Sequence, residues 1–114
     1  MKNKKNISEN YLERIPVRRN FNFTTDETGI VTLEIENKGI FNRIAQKLFK
    51  KPKTSYIHLD EIGSFIWPLI NANKTILDLG KEVELKFGEN ANPLYERLAK
   101  YFRILDSYDF ITWK

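Results

Sequence analysis

The spacing of hydrophobic residues changes from a strand-like to a helix-like pattern at about residue 60 of this chain. Upstream of it, two runs have alternating side chains, one with Val17, Arg19, Phe21 and Phe23 on one parity, the other with Val31, Leu33 and Ile35. Such period-two alternation is typical of half-buried β-strands. Between the runs lies the turn-forming stretch TTDETG, in which Gly29 is free to adopt a positive φ. The sequence therefore predicts a β-hairpin with strands at about 16–24 and 30–36.

Residues 54–67, TSYIHLDEIGSFIW, contain the change itself. The run 54–59 is rich in residues that favour β-structure and predicts a third strand. Asp60 is suited to cap the helix that follows, since its carboxylate can accept from free backbone N–H groups. The apolar residues that follow share one helical face: Ile62, Phe65, Ile66, Leu69 and Ile70. Pro68 lacks the N–H that a helix interior needs, which predicts a kink or an early end near Trp67.

Two more helices follow. Thr75 with Asp78 resembles a capping box, and Gly88 is suited to end the helix that Thr75 begins. Asn92 followed by Pro93 predicts an N-cap and a first helical residue. The apolar face of that last helix is Leu94, Leu98, Tyr101, Phe102 and Leu105. Residues 110–113 are predicted to be a terminal β-like segment, and strands followed by helices indicate an α+β fold, a small antiparallel sheet against a three-helix bundle.

Residues 38–53, KGIFNRIAQKLFKKPK, hold six basic residues and no acidic residue. Because the whole chain has a net charge of +4, the rest is slightly acidic, and a nucleic-acid footprint over the whole domain is not implied. Apolar residues recur here at helical spacing, which predicts a short amphipathic helix at about 39–51. Three roles remain open for its cations: weak contact with an anionic membrane, contact with an acidic partner or nucleic acid, or simple solvation. The candidate basic surface consists of Arg43, Lys47, Lys50 and Lys51.

Catalytic chemistry has little support in the sequence. The chain has one histidine and no cysteine, which excludes most nucleophile–base pairs and most zinc sites. His58, Asp60 and Glu61 are better explained as a strand residue followed by a helix start. We expect no catalytic residue, no metal site and no cofactor. The absence of cysteine fits a reducing cytosol, and residues 1–14 are expected to be a polar lead-in to a single domain at 15–114.

Three consecutive helices with a β element after them also fit a winged helix-turn-helix regulator that binds DNA. The exposed positions of the last two helices mix acidic with basic residues, whereas a helix that reads base edges needs exposed Arg, Lys, Asn or Gln. DNA binding therefore remains the alternative function.

The stretch HLDEIGSFIWPLINANKTILDLGKEVELKFG resembles the PqqD family, the small proteins of pyrroloquinoline quinone biosynthesis and their relatives. The resemblance covers about residues 15–113 and depends on the order and spacing of a few residues, which are Leu59, Gly63, Trp67, Thr75-Ile76, Leu79, Leu94 and Leu98. The basic segment departs from the compact family pattern and resembles one subgroup.

This resemblance implies a recognition element for ribosomally made and modified peptides: a winged-helix-like domain of three strands and three helices, here with a basic helix inserted between the second and third strands. Such domains are not enzymes. They bind the leader of a precursor peptide and present it to a modifying enzyme, often a radical SAM protein.

In the family the leader adds as an extra strand beside the third strand and lies next to the third helix. By resemblance, the candidate binding residues are Thr54, Ser55, Tyr56, Ile57 and His58 on the strand and Leu94, Arg97, Leu98 and Tyr101 on the helix. Strand addition needs an open edge. The basic helix either covers this edge or extends the groove, and the sequence alone leaves both possibilities open.

Overall fold

The computed structural model describes residues 9–36 and 54–114. The chain order of its elements is α1 (Glu9–Leu12), β1 (Pro16–Arg18), β2 (Phe23–Thr25), β3 (Val31–Glu36), β4 (Thr54–His58), α2 (Glu61–Ile66), α3 (Ile76–Phe87), α4 (Leu94–Ser107) and β5 (Ile111–Trp113). Two short 3₁₀ turns, Trp67–Leu69 and Gly88–Ala91, follow α2 and α3. The fold is thus α+β, as the change in hydrophobic period predicts.

Strands β2, β3 and β4 form a three-stranded antiparallel sheet in that order. The β2–β3 turn is closed by the Asp26 carboxylate, which accepts from the N–H groups of Thr28 and Ile30, while Gly29 has a φ of 92°. A positive φ costs glycine nothing, so this turn agrees with the sequence prediction. The prediction of a third strand at 54–59 is also confirmed.

The first predicted strand, 16–24, is in fact two strands in two sheets. Only β2 pairs with β3, whereas β1 pairs with β5 at the other end of the chain. Between β1 and β2 the chain is held away from the β2–β3–β4 sheet. The Arg19 N–H donates to the carbonyl of Phe110, and the Phe21 ring packs edge-on against the Phe110 ring. The tertiary contacts of a buried aromatic residue therefore override the local alternation.

The helix boundaries follow local chemistry closely. Asp60 caps α2 by accepting from the Gly63 N–H at 2.7 Å, and α2 gives way to the 3₁₀ turn at Trp67, just before Pro68. Thr75 and Asp78 form a complete capping box at the start of α3, and Gly88 ends that helix with a φ of 57°. These predictions are confirmed.

The predicted start of α4 is off by one position. Pro93 has an extended backbone, with φ −79° and ψ 112°, so it is the capping residue and Leu94 is the first helical residue. Asn92 instead closes the preceding 3₁₀ turn, its N–H donating to the carbonyl of Glu89. Pro93 has no side-chain acceptor, so α4 begins without a side-chain cap.

The core lies between the sheet and helices α2, α3 and α4. Its largest fully buried side chains are Trp67, Phe102 and Phe110. Gly63 and Gly80 allow close approach, because a Cβ on them would lie 2.8 Å from Tyr101 Cε1 and 2.7 Å from Leu98 Cδ1 respectively. Tight helix packing is therefore the reason for both glycines.

Part of the expected lead-in at 1–14 contacts the rest of the protein. Residues of α1 are helical, and the Tyr11 ring packs edge-on against Trp113 with centroids 5.8 Å apart. The Arg14 carbonyl accepts from the Ile76 N–H, and the Arg14 guanidinium lies over the Trp113 ring. These contacts attach residues 11–14 to the body. The predicted basic helix at about 39–51 lies outside the described residues.

Candidate functional site

A groove of about 430 Å³ separates strand β4 from helix α4. We call it the β4–α4 groove. Its apolar walls come from β4, α2, α3 and α4, and its polar groups stand at the β4 end and along α4. The lining residues that matter for its possible function are Ile57, His58, Asp60, Gly63, Leu94, Arg97, Leu98, Lys100, Tyr101 and Ile104. An apolar cleft with a few converging polar groups is the usual form of a binding site.

Strand β4 lies at the edge of its sheet, with β3 on one side and no strand of the described residues on the other. The Leu59 N–H donates to the Val31 carbonyl, so the backbone groups of Ile57 and Leu59 face β3. Backbone groups alternate in direction along an antiparallel pair. Tyr56 and His58 therefore direct their N–H and C=O groups toward the outer edge, where an additional strand can bond.

Side chains on β4 divide between two faces. Ile57 and Leu59 are half-buried and line the groove. Tyr56 is on the opposite face with 59% of its surface exposed. The His58 ring is on that face too, where its Nδ1 is hydrogen-bonded to Thr32 Oγ1 at 2.7 Å.

Helix α4 forms the facing wall. Leu94 and Leu98 are buried at its base, where Leu98 meets Gly80 of α3. Arg97 is half-buried, Lys100 is exposed, and Ile104 exposes 44% of its surface although it is apolar. The groove therefore has an apolar base and a rim that combines charge with an exposed aliphatic side chain.

A set of polar contacts holds the β4 end of the groove in shape. One Asp60 carboxylate oxygen caps α2, and the other lies 4.0 Å from Arg97 Nη2. The Arg97 guanidinium also donates to the Asn90 carbonyl at 3.0 Å. The Tyr101 hydroxyl donates to the Gly63 carbonyl at 2.9 Å. Arg97 and Tyr101 are thereby oriented before any ligand arrives.

The Tyr101 hydroxyl stays protonated throughout the physiological range. Burial raises the pKa of Tyr101, and the nearby Asp60 carboxylate raises it further. Because the hydroxyl is a permanent donor, its bond to the Gly63 carbonyl does not depend on pH near neutrality. Tyr101 therefore acts as a fixed brace between α4 and α2.

His58 and Asp60 have separate partners in the structure. The imidazole is engaged with Thr32 on one face of the sheet, while Asp60 is engaged with Gly63 and Arg97 at the groove. A base and its orienting group must be within hydrogen-bond reach of each other.

Across residues 9–36 and 54–114, no group of three or more His, Cys, Asp or Glu side chains is arranged to hold a metal ion. In the same ranges, no helix is both long enough and apolar enough to cross a membrane.

A family model described as coenzyme PQQ synthesis protein D (PqqD) matches residues 29–111 of the 114-residue chain. The chain belongs to the PqqD family. The comparison with curated proteins and the comparison with solved structures each found no match. The matched range contains β4 and α4 together with α2 and α3, so every wall of the groove belongs to the PqqD-family part of the chain.

The structure of this PqqD-family protein brings together six of the nine predicted peptide-binding residues around the groove. They are Ile57, His58, Leu94, Arg97, Leu98 and Tyr101. Ser55 and Tyr56 are on β4 but do not line the cavity, and Thr54 is the first residue of that strand. The candidate basic surface, Arg43, Lys47, Lys50 and Lys51, lies outside the described residues.

Among the groove residues that were not predicted as binding residues, three carry the later argument: Asp60, Lys100 and Ile104. Asp60 was assigned only a capping role, although its position directly after β4 also places it at the groove. Lys100 and Ile104 follow Arg97 by three and seven residues, and helical spacing puts all three along one side of α4. That spacing was the available signal for both residues.

Proposed function

We propose that this PqqD-family protein is a non-catalytic adaptor that binds the leader of a ribosomally made precursor peptide and presents it to a modifying enzyme. Family membership supports the broader part, a peptide-binding partner in the biosynthesis of such peptides. The partner we expect is a radical SAM enzyme or another peptide-modifying enzyme. We assign this role to a single winged-helix-like domain that includes residues 15–114.

One observation supports this proposal most strongly, the combination of an edge strand and an apolar groove. Strand addition draws affinity from backbone hydrogen bonds and specificity from side-chain pockets. Tyr56 and His58 offer the outward backbone groups of β4, and the adjoining groove offers the pocket. A peptide strand beside β4 would direct alternate side chains toward α4.

The alternative function, DNA binding by a winged helix-turn-helix, has weaker support. Arg97 faces the groove and has Asp60 as its counter-ion. The exposed positions of α3 include Glu84 as well as Lys81 and Lys86. A helix that reads bases in the DNA major groove needs exposed hydrogen-bond donors that no acidic neighbour engages. On both helices the exposed basic residues are instead accompanied by exposed acidic ones, as Asp106 accompanies Lys100 and Arg103 on α4.

Titration of the ¹⁵N-labelled full chain with leader peptides encoded beside its gene tests the adaptor role. We expect amide shifts to change along β4 and the groove side of α4. Shifts that stay constant at both elements for every neighbouring leader would refute strand addition. The neighbourhood of the gene is informative as well, since a short precursor gene and a modifying enzyme are expected there.

A pair of variants at residue 56 isolates the backbone contribution. Tyr56→Pro removes an N–H that points to the outer edge and leaves the bonds of Ile57 to β3 intact, which an edge strand tolerates. Tyr56→Ala removes the exposed ring but keeps the N–H. We expect Tyr56→Pro to lose most peptide binding and Tyr56→Ala to retain it. Equal binding by both folded variants would show that the peptide does not bond to this edge.

A further inference from the structure

The rim of the β4–α4 groove changes in character along α4. Its first part carries Arg97 and Lys100, and one turn later it carries the half-exposed Ile104. All three side chains line the same cavity, so a ligand that occupies the groove contacts cations at one part of the rim and an aliphatic side chain at the next.

The cationic part of the rim has an excess of positive charge. Asp60 lies 4.0 Å from Arg97 and balances it, and the same carboxylate also caps α2. Lys100 makes no ion pair with any residue in 9–36 or 54–114. One positive charge therefore faces the groove without a counter-ion from those ranges, which favours an anionic group on the ligand.

The distance between the two parts matches the repeat of a β-strand. Four helical residues separate Lys100 from Ile104, a rise of about 6 Å. Side chains on one face of a strand recur every second residue, about 6.7 Å apart. A peptide strand beside β4 can thus place two successive groove-facing side chains against Lys100 and Ile104 together.

We propose that the groove selects peptides that carry an acidic side chain and a large apolar side chain two residues apart, in either order. The acidic group pairs with Lys100 at the cationic part of the rim. The apolar group enters the groove beside Ile104, over the base formed by Leu98. This assignment of the ligand rests on the proposed function, because it requires a strand in the groove.

A random decapeptide library displayed on bacterial cells provides the probe. The library is sorted against the full chain, against Lys100→Glu and, as a charge-matched control away from the groove, against Lys81→Glu. Enriched decapeptides are then synthesised, and their dissociation constants are measured by fluorescence polarisation. Urea unfolding of each variant establishes that it is folded.

The full chain and Lys81→Glu should enrich Asp or Glu two residues from Leu, Ile, Phe or Met. Changing that acid to Lys should weaken binding to the full chain about fivefold, the upper range for an exposed ion pair. Lys100→Glu should prefer the Lys peptide instead. Ile104→Ser should weaken binding about fivefold through lost apolar burial, whereas Leu85→Ser, at an exposed leucine of α3, should not.

The possible failures are distinct. Three results would overturn this inference and leave the adaptor role standing. The enriched peptides could lack an acidic residue, or Lys100→Glu could enrich the same acidic residue as the full chain. The acidic and apolar side chains could also be one or three residues apart instead of two. Enriched peptides that bind Tyr56→Pro as tightly as the full chain would overturn strand addition itself. If the full chain enriches no peptide, the proposed function and this inference both fail.

Discussion

Replacing Asp60 separates two roles that one carboxylate performs in this protein. Its Oδ1 accepts the Gly63 N–H at 2.7 Å and caps α2, while its Oδ2 lies 4.0 Å from Arg97. Asp60→Asn keeps an oxygen that can accept the Gly63 N–H but removes the charge. Asp60→Ala removes both. The difference between these two variants measures the cap alone.

The expected magnitudes follow from geometry and exposure. Loss of an N-cap acceptor costs about 1 kcal/mol in free energy of unfolding. The ion pair contributes much less, because the Asp60 side chain is 69% exposed and the Arg97 side chain 40% exposed. Solvent screening leaves such pairs with about 0.5 kcal/mol or less. We therefore expect Asp60→Ala to lose about 1 kcal/mol and Asp60→Asn less than half of that.

Urea unfolding followed by tryptophan fluorescence measures this difference, since Trp67 is 1% exposed in the folded protein. The urea midpoint of Asp60→Ala should fall by about 0.7 M, and that of Asp60→Asn by about 0.3 M or less. If Asp60→Asn is as unstable as Asp60→Ala, the charge carries the effect and the capping argument is wrong. If both variants match the original chain, Asp60 stabilises neither α2 nor the groove.

Three further predictions concern the residues around the groove and its supporting helices. Gly80→Ala should lower the free energy of unfolding by about 1–2 kcal/mol in urea titrations, because the new Cβ would lie 2.7 Å from buried Leu98 Cδ1. This loss should exceed the gain from the better helix propensity of alanine, and a more stable variant would contradict the packing. Tyr101→Phe should lose about 1 kcal/mol, measured in the same way, because the Gly63 carbonyl loses its donor, and an unchanged urea midpoint would show that the brace adds nothing. The bond from the Thr75 N–H lowers the pKa of Asp78, so the stabilisation by this carboxylate is present at neutral pH and is lost as pH falls through the lowered value. The stability of Asp78→Asn, measured by thermal unfolding, should therefore fall less between pH 5 and about pH 3 than that of the original chain. Parallel pH profiles of the two proteins would refute this.

The helices of this protein are largely predictable because their signals are local. A cap and its acceptor lie within three residues, as with Asp60 and Gly63 or with Thr75 and Asp78. Residues so close in sequence meet whenever the helix forms. The same holds for Gly88, whose left-handed backbone ends α3. These boundaries need no knowledge of the rest of the fold.

The groove is predictable only in outline. Family resemblance indicates that β4 and α4 face one another, and the parity of Ile57 and Leu59 indicates which side of β4 turns inward. Helical spacing from Arg97 is a weak signal for Lys100 and Ile104, since an exposed lysine and an apolar helical residue are common. Their joint position on one rim depends on how α4 is rotated against α2 and α3, which many distant contacts determine together.

The amino-acid sequence by itself determined the hydrophobic periods, the helix caps and the β2–β3 turn, all of which depend on interactions within a few residues. Only the tertiary structure decided that β1 leaves the first sheet to pair with β5, as Arg18 aligns with Ile111. Only the tertiary structure left β4 with an outer edge that no described strand occupies. Strand pairing joins residues far apart in the chain, and hydrophobic alternation shows which face of a strand is buried but carries no record of its neighbour.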